Sequence, residues 1–302
     1  MTLASLRNGI LLLGRWVATL TLALTSLAAA SAVVQAENPE IMGRRAAERR
    51  DFTDDEIKDG FFKIAFRAEL QVGPRSEGPA NERIRKFDEP IRIFIDGKAH
   101  PDRSAEIFEI VADIRRHVDH LDVAVTSDRA NSNFLVSLVA DREMAATIRA
   151  RYGSNRASEI ERSLSPQCLS GIGKDKRFRI RRAEVILPVD AGDFTFYDCA
   201  YEELLQGLGA INDDASVPWT MFNDDVQMGF FDTYDQYLLN ILYDPRIRPG
   251  MTKEEVDRLL PDVLATARAW VSKKTPDRAD VGGSETNPPG PATLPSPGAR
   301  TD

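Results

Sequence analysis

YEELLQGLGAIN, Tyr201 to Asn212, is the stretch on which the reading of this chain turns. At 3.6 residues per turn, Glu202 and Gln206 fall on one face of a helix, one turn apart, with Glu203 beside them. Gly209 follows as a helix stop, and Asn212 lies three residues further on. A carboxylate and an amide at that spacing can line a pocket. Two acids on a helix also serve as solvated or cap-stabilising groups, and Gln206 is equally suited to bonding a neighbouring loop. The spacing alone fits both roles.

Around this stretch the 302 residues include 39 Lys+Arg and 47 Asp+Glu, and 42% are hydrophobic. The first 36 residues hold Arg7 and Arg15 and no acid, so residues 37–302 carry 37 basic against 47 acidic residues, a net charge of −10. Such a chain repels phosphate backbones, which excludes nucleic acid as a partner. Val17 to Ala30 is an apolar run behind those two arginines, and Val34-Gln35-Ala36 offers small residues for cleavage before Glu37, so residues 1–36 read as a signal peptide. The competing reading is an uncleaved anchor lengthened by Ile10 to Leu13. Beyond Ala36 no comparable apolar run occurs, and no membrane span is expected in the mature chain, which is placed in the periplasm or outside the cell. There Cys168 and Cys199 are expected to close a disulfide. A catalytic thiol instead requires a nearby histidine, and none lies close to Cys168 in sequence.

Residues 37–50 are polar and basic and read as a flexible leader. Thr53-Asp-Asp-Glu56 and Thr252-Lys-Glu-Glu255 are capping boxes, each opening a helix with an apolar stripe. The first stripe runs from Ile57 to Leu70 and is followed by a loop over 73–80. Pro90 to Ile95, Asp122 to Thr126, Asn133 to Val139 and Phe178 to Leu187 read as strands. Ala105 to Leu121, Arg142 to Tyr152, Asp198 to Leu208 (with Asp198 as N-cap) and Thr233 to Tyr243 read as helices. Residues 275–302 are rich in proline and glycine and read as a disordered tail. The folded unit is therefore expected over 51–274 as a single α+β domain.

The motif stretch resembles the zinc-peptidase helix HExxHxxGxxH. Glu203 falls at the general-base position and Gly209 at the turn glycine, while Glu202, Gln206 and Asn212 replace the three histidines. The resemblance implies a zincin-like domain: a mixed sheet, an edge strand (here Phe178 to Leu187) before the motif helix, further helices after it, and a methionine turn, matched by Met251 in LYDPRIRPGM. Imidazole suits zinc, whereas carboxylate and amide oxygens suit harder cations. The resemblance therefore implies no zinc and no cofactor, with calcium left open through Asp213, Asp214, Asp224 or Asp225 beside Glu202, against the competing reading of a solvated acidic loop. More widely, FTDDEIKDGFFKIAF, KFDEPIRIFIDG, CAYEELLQGLGAINDD, VPWTMFND and LYDPRIRPGM resemble an uncharacterised family of secreted bacterial proteins, domain of unknown function family 2927.

These readings lead to an exported, catalytically degenerate zincin-like module that binds a peptide or protein partner in the cell envelope, with strand addition at the strand near Arg179 to Leu187 as the mode. Two alternatives stand beside it. One is a hydrolase using Glu203 as base with a cation held by Glu202, Gln206 and an aspartate; the other is a purely structural domain. His117 and His120, three apart on a helix, read as a solvent-facing pair, with a zinc pair as the lesser alternative. Trp219, Phe222, Phe230 and Phe231 are read as core before cleft.

Overall fold

The computed structural model describes residues 38–67, 82–97, 99–163 and 166–274. The signal segment 1–36, Leu70 with the loop 73–80, and the tail 275–302 lie outside the described residues. In chain order the elements are α1 (Pro39–Ala47), α2 (Asp54–Phe66), β1 (Ile91–Asp96), α3 (Ser104–His117), β2 (Val123–Val125), β3 (Phe134–Val139), α4 (Met144–Tyr152) and α5 (Ser154–Ser163). They continue as β4 (Leu169–Lys174), β5 (Ile180–Pro188), α6 (Asp193–Gly207), α7 (Thr233–Tyr243) and α8 (Lys253–Lys274).

The strands form a five-stranded mixed sheet in the order β2-β1-β3-β5-β4. β2, β1, β3 and β5 run parallel, and β5 ends in the apolar run Val185-Ile186-Leu187-Pro188, buried throughout as expected where a parallel strand is covered on both faces. β4 is antiparallel to β5, with Leu169 opposite Ile186 and Ile172 opposite Ala183. On one face α3 and α6 pack into the main core, and on the other Met144, Ile148, Ala157 and Ile160 of α4 and α5 close over Leu169 and Ile186. Both capping boxes form: Thr53 N donates to Glu56 Oε2 at 2.8 Å, and Thr252 N donates to Glu255 Oε2 at 2.8 Å.

Three expectations are corrected. First, β5 is an interior strand, because β4, which its two glycines hide from any propensity reading, pairs along its far side. Among the described residues the free edge on that side of the sheet belongs to β4, so the stretch Arg179 to Leu187 is closed to strand addition. Second, α6 begins at Asp193 behind Gly192, and Asp198 is a mid-helix residue. Its Oδ1 accepts from the amides of Met228 (2.7 Å) and Gly229 (3.0 Å), tying the 228–229 loop to α6 in place of capping the helix. Third, the stretch expected as a flexible leader contains α1, capped by Asn38. Ile41 is buried, and the guanidiniums of Arg44 and Arg45 lie over the rings of Phe194 and Phe230, so burial of one apolar residue and two cation–π contacts hold a polar sequence in place. The chain also forms a further helix, α5, which is not among the helices expected from the sequence; of residues 154–162 only Ala157 and Ile160 are buried.

Candidate functional site

The motif helix α6 carries its polar face towards the edge strand β4, and a cleft of about 340 Å3 lies between them. Glu202, Glu203 and Gln206 line it from α6, Leu169 to Ile172 from β4, Tyr152 and Arg156 from the α4–α5 side, and Asp213 and Asp224 from the loops after α6. Cys168 and Cys199 are bonded to each other, Cα to Cα 5.9 Å, and line the same cleft, so the bridge pins the start of β4 to α6. At the other end Gly207 lets α6 sit against Phe134 of β3. Gly209 then takes φ +123°, where a Cβ would run into the carbonyl oxygen of Arg85, so glycine is required at the turn.

Gln206 is satisfied at both ends. Its Oε1 accepts from Ser170 Oγ at 2.7 Å, and its Nε2 donates to the two oxygens of Asp213 at 3.0 and 3.1 Å. The residue in the second-histidine position is thus a clamp between the edge strand and the 213 loop, as the neighbouring-loop reading allowed. Glu203 is buried at the cleft wall, and its charge together with that of Glu184 adds to burial in holding the Tyr152 hydroxyl up at about 12.

Glu202, Asp213 and Asp224 each present a carboxylate oxygen within 4.8 Å of the others. Burial pushes the Glu202 carboxyl well above the usual range, and the charges of Glu203 and Asp213 push it further. Oxygen-only donors of this kind suit calcium, magnesium or manganese and do not suit zinc. The zinc that a zincin-like helix implies does not fit these residues, because Gln206 is engaged and imidazole is absent from the cleft lining.

Two expected site residues lie elsewhere. Asn212 is buried and donates from Nδ2 to Lys63 O at 3.0 Å, on the α2 side. In the extended segment after Gly209, Ile211 and Asp213 face the cleft, so Asn212 between them faces away. Met251 sits at the start of α8, its carbonyl accepting from Ile84 N at 3.0 Å and its Sδ from Arg248 N at 3.3 Å, and it is not among the cleft-lining residues. Each histidine has its own carboxylate: His117 Nδ1 lies 3.1 Å from Asp113 Oδ1 and His120 Nε2 3.3 Å from Asp119 Oδ2. Phe222, Phe230 and Phe231 are core, as expected. Tyr152, Arg156 and Ser170 belong to the cleft, although nothing in their local sequence points to it.

A family model described as protein of unknown function (DUF2927) matches residues 54–262. The chain belongs to that family. The DUF2927 span runs from the start of α2 into α8 and contains the whole sheet and every cleft residue named above. Nothing among the curated proteins or the solved structures matches the chain.

The raised Glu202 carboxyl has a consequence for stability. The folded state holds this proton more tightly than the unfolded chain does. Its contribution is therefore present below about pH 4.5 and is lost as pH rises towards the folded value. Glu202→Gln removes that loss. At pH 7 the variant is expected to melt about 2–4 °C above the parent, the shift produced by roughly 1 kcal/mol in a domain of this size, with no gain at pH 4. Equal melting at pH 7 contradicts the assignment. Run with millimolar calcium, the same melts test the carboxylate trio: a cation held there raises the parent and not the variant.

Proposed function

We propose that this protein is a non-catalytic, zincin-like binding module that holds an extended peptide segment of a partner protein in the bacterial cell envelope. The observation that carries the reading is the free edge of β4 lying along a cleft whose opposite wall is α6. An edge strand presents a row of unpaired amides and carbonyls, and an extended segment pairs with them as a further strand. The cleft is polar, with an acidic floor formed by Glu202, Asp213 and Asp224, which favours lysine or arginine in the segment on the α6 side. The zincin likeness is supported by the motif helix behind a mixed sheet and by the antiparallel strand beside it. Loss of the histidines supports binding without hydrolysis. The Cys168–Cys199 bridge and the N-terminal apolar run support a periplasmic or secreted site of action. No helix among the described residues is long and apolar enough to cross a membrane.

Screening the purified protein on an array of immobilised octapeptides tests the reading. The best-retained peptide, added in solution, is expected to slow amide hydrogen exchange over residues 169–174. Protection that falls elsewhere and spares β4 overturns strand addition. Cleavage of an array peptide that is lost in Glu203→Gln overturns the non-catalytic reading in favour of a hydrolase.

A further inference from the structure

The side chains of β4 alternate between two faces. Ser170 and Ile172 point to the α6 side, where Ser170 meets Gln206 and Ile172 packs on the main core. Leu169, Gly171 and Gly173 point to the α4–α5 side, and there the two glycines leave room that Tyr152 and Arg182 fill. A Cβ on Gly171 would lie 2.5 Å from Tyr152 Oη, and one on Gly173 would lie 2.8 Å from Cγ and Nε of Arg182. Arg182 belongs to β5, directly opposite Gly173. Because Gly173 has no side chain, the arginine of the inner strand lies across β4 in the direction of the free edge. Arg156 reaches the same face by another route, its guanidinium 5.4 Å from the centre of the Tyr152 ring that covers Gly171.

This face forms a concavity of about 470 Å3 that shares Tyr152, Arg156, Gly171 and Ile172 with the cleft. The acid that lines it, Glu184, is paired with Arg151 at 2.9 Å. Arg156 and Arg182 are both exposed, and neither has a carboxylate within ion-pair distance among the described residues. Gly171 and Gly173, which Tyr152 and Arg182 cover, lie two strand positions apart, the spacing at which alternate side chains of a neighbouring strand project to one face.

We infer that Arg182, lying across Gly173, and Arg156, stacked on Tyr152 over Gly171, select carboxylates, so that the segment bound at β4 carries Asp or Glu at the positions that face α4 and α5. The inference rests on strand addition at β4 and specifies the partner class for it: an extended segment with acidic residues at every second position.

The array separates the two claims. The retained peptides are aligned, and the best one is resynthesised with its alternate acids changed to Gln. By fluorescence anisotropy the Gln version is expected to bind the parent at least tenfold more weakly. The double variant Arg156→Gln/Arg182→Gln, melting like the parent, is expected to bind both versions within twofold of each other. Gly173→Val, which bars the path of Arg182 and leaves both arginines in place, is expected to lose most of the same discrimination. Peptides retained with no preference for acids overturn this inference and leave strand addition standing. Retention of no peptide overturns both.

Discussion

Replacing Lys86 by methionine is expected to destabilise the domain by about 3–5 kcal/mol in urea denaturation. Lys86 is buried, and its Nζ donates to the carbonyls of Leu242 (2.7 Å), Asp244 (3.2 Å) and Ile247 (2.8 Å). These carbonyls belong to the end of α7 and the turn after it; Asp244 O also accepts from Ile247 N at 3.0 Å, while the last carbonyls of a helix otherwise lack an intrahelical partner. One ammonium satisfies all three and sits favourably at the negative end of the helix dipole. Burial pushes the ammonium down to about 8, against the opposing charges of Asp244 and Asp88. Methionine keeps most of the stem's packing and supplies no donor, so buried acceptors go unpaired. A loss under about 1 kcal/mol would mean that water reaches those carbonyls and that the lysine is not what closes α7.

The second large effect is expected from the disulfide. Cys168→Ser/Cys199→Ser should lose about 3–4 kcal/mol, the chain-entropy value for a loop of the observed separation, 31 residues. Reductant should lower the melting temperature of the parent by a comparable amount and leave the double variant unmoved. The bridge joins the two walls of the cleft, so any array peptide is also expected to bind the double variant more weakly at temperatures where it remains folded. Melting unchanged by reductant would remove the bridge from the account.

The helices with strong local signals are legible in the sequence. Thr53 and Glu56, and Thr252 and Glu255, each fix a helix start within four residues, because the hydrogen bonds that define it are local. Strands β1, β3 and β5 are legible because branched apolar residues recur over a buried run. β4 is not: LSGIGK has two glycines and one small hydroxyl, and what makes it a strand is its ladder to β5. Asp198 shows the opposite failure. It has the look of a cap, yet the helix starts five residues earlier, and its carboxylate holds a loop thirty residues away.

The site divides in the same way. Helical periodicity alone placed Glu202 and Gln206 on one face, and the residue types alone showed that the three histidine positions hold oxygen donors poorly suited to zinc, since the chemistry of a donor atom does not depend on the fold. The cysteine count and the apolar N-terminal run are enough to make the disulfide an expectation from the sequence alone. Only the tertiary structure decided that Gln206 clamps Ser170 to Asp213, that Asp213 and Asp224 meet Glu202 while Asn212 and Met251 do not, and that β4 supplies the open edge. Each of these depends on groups distant in sequence or on which way an extended chain faces after a left-handed glycine. One residue of phase there moves a side chain to the opposite face, and only packing against the rest of the core sets that phase.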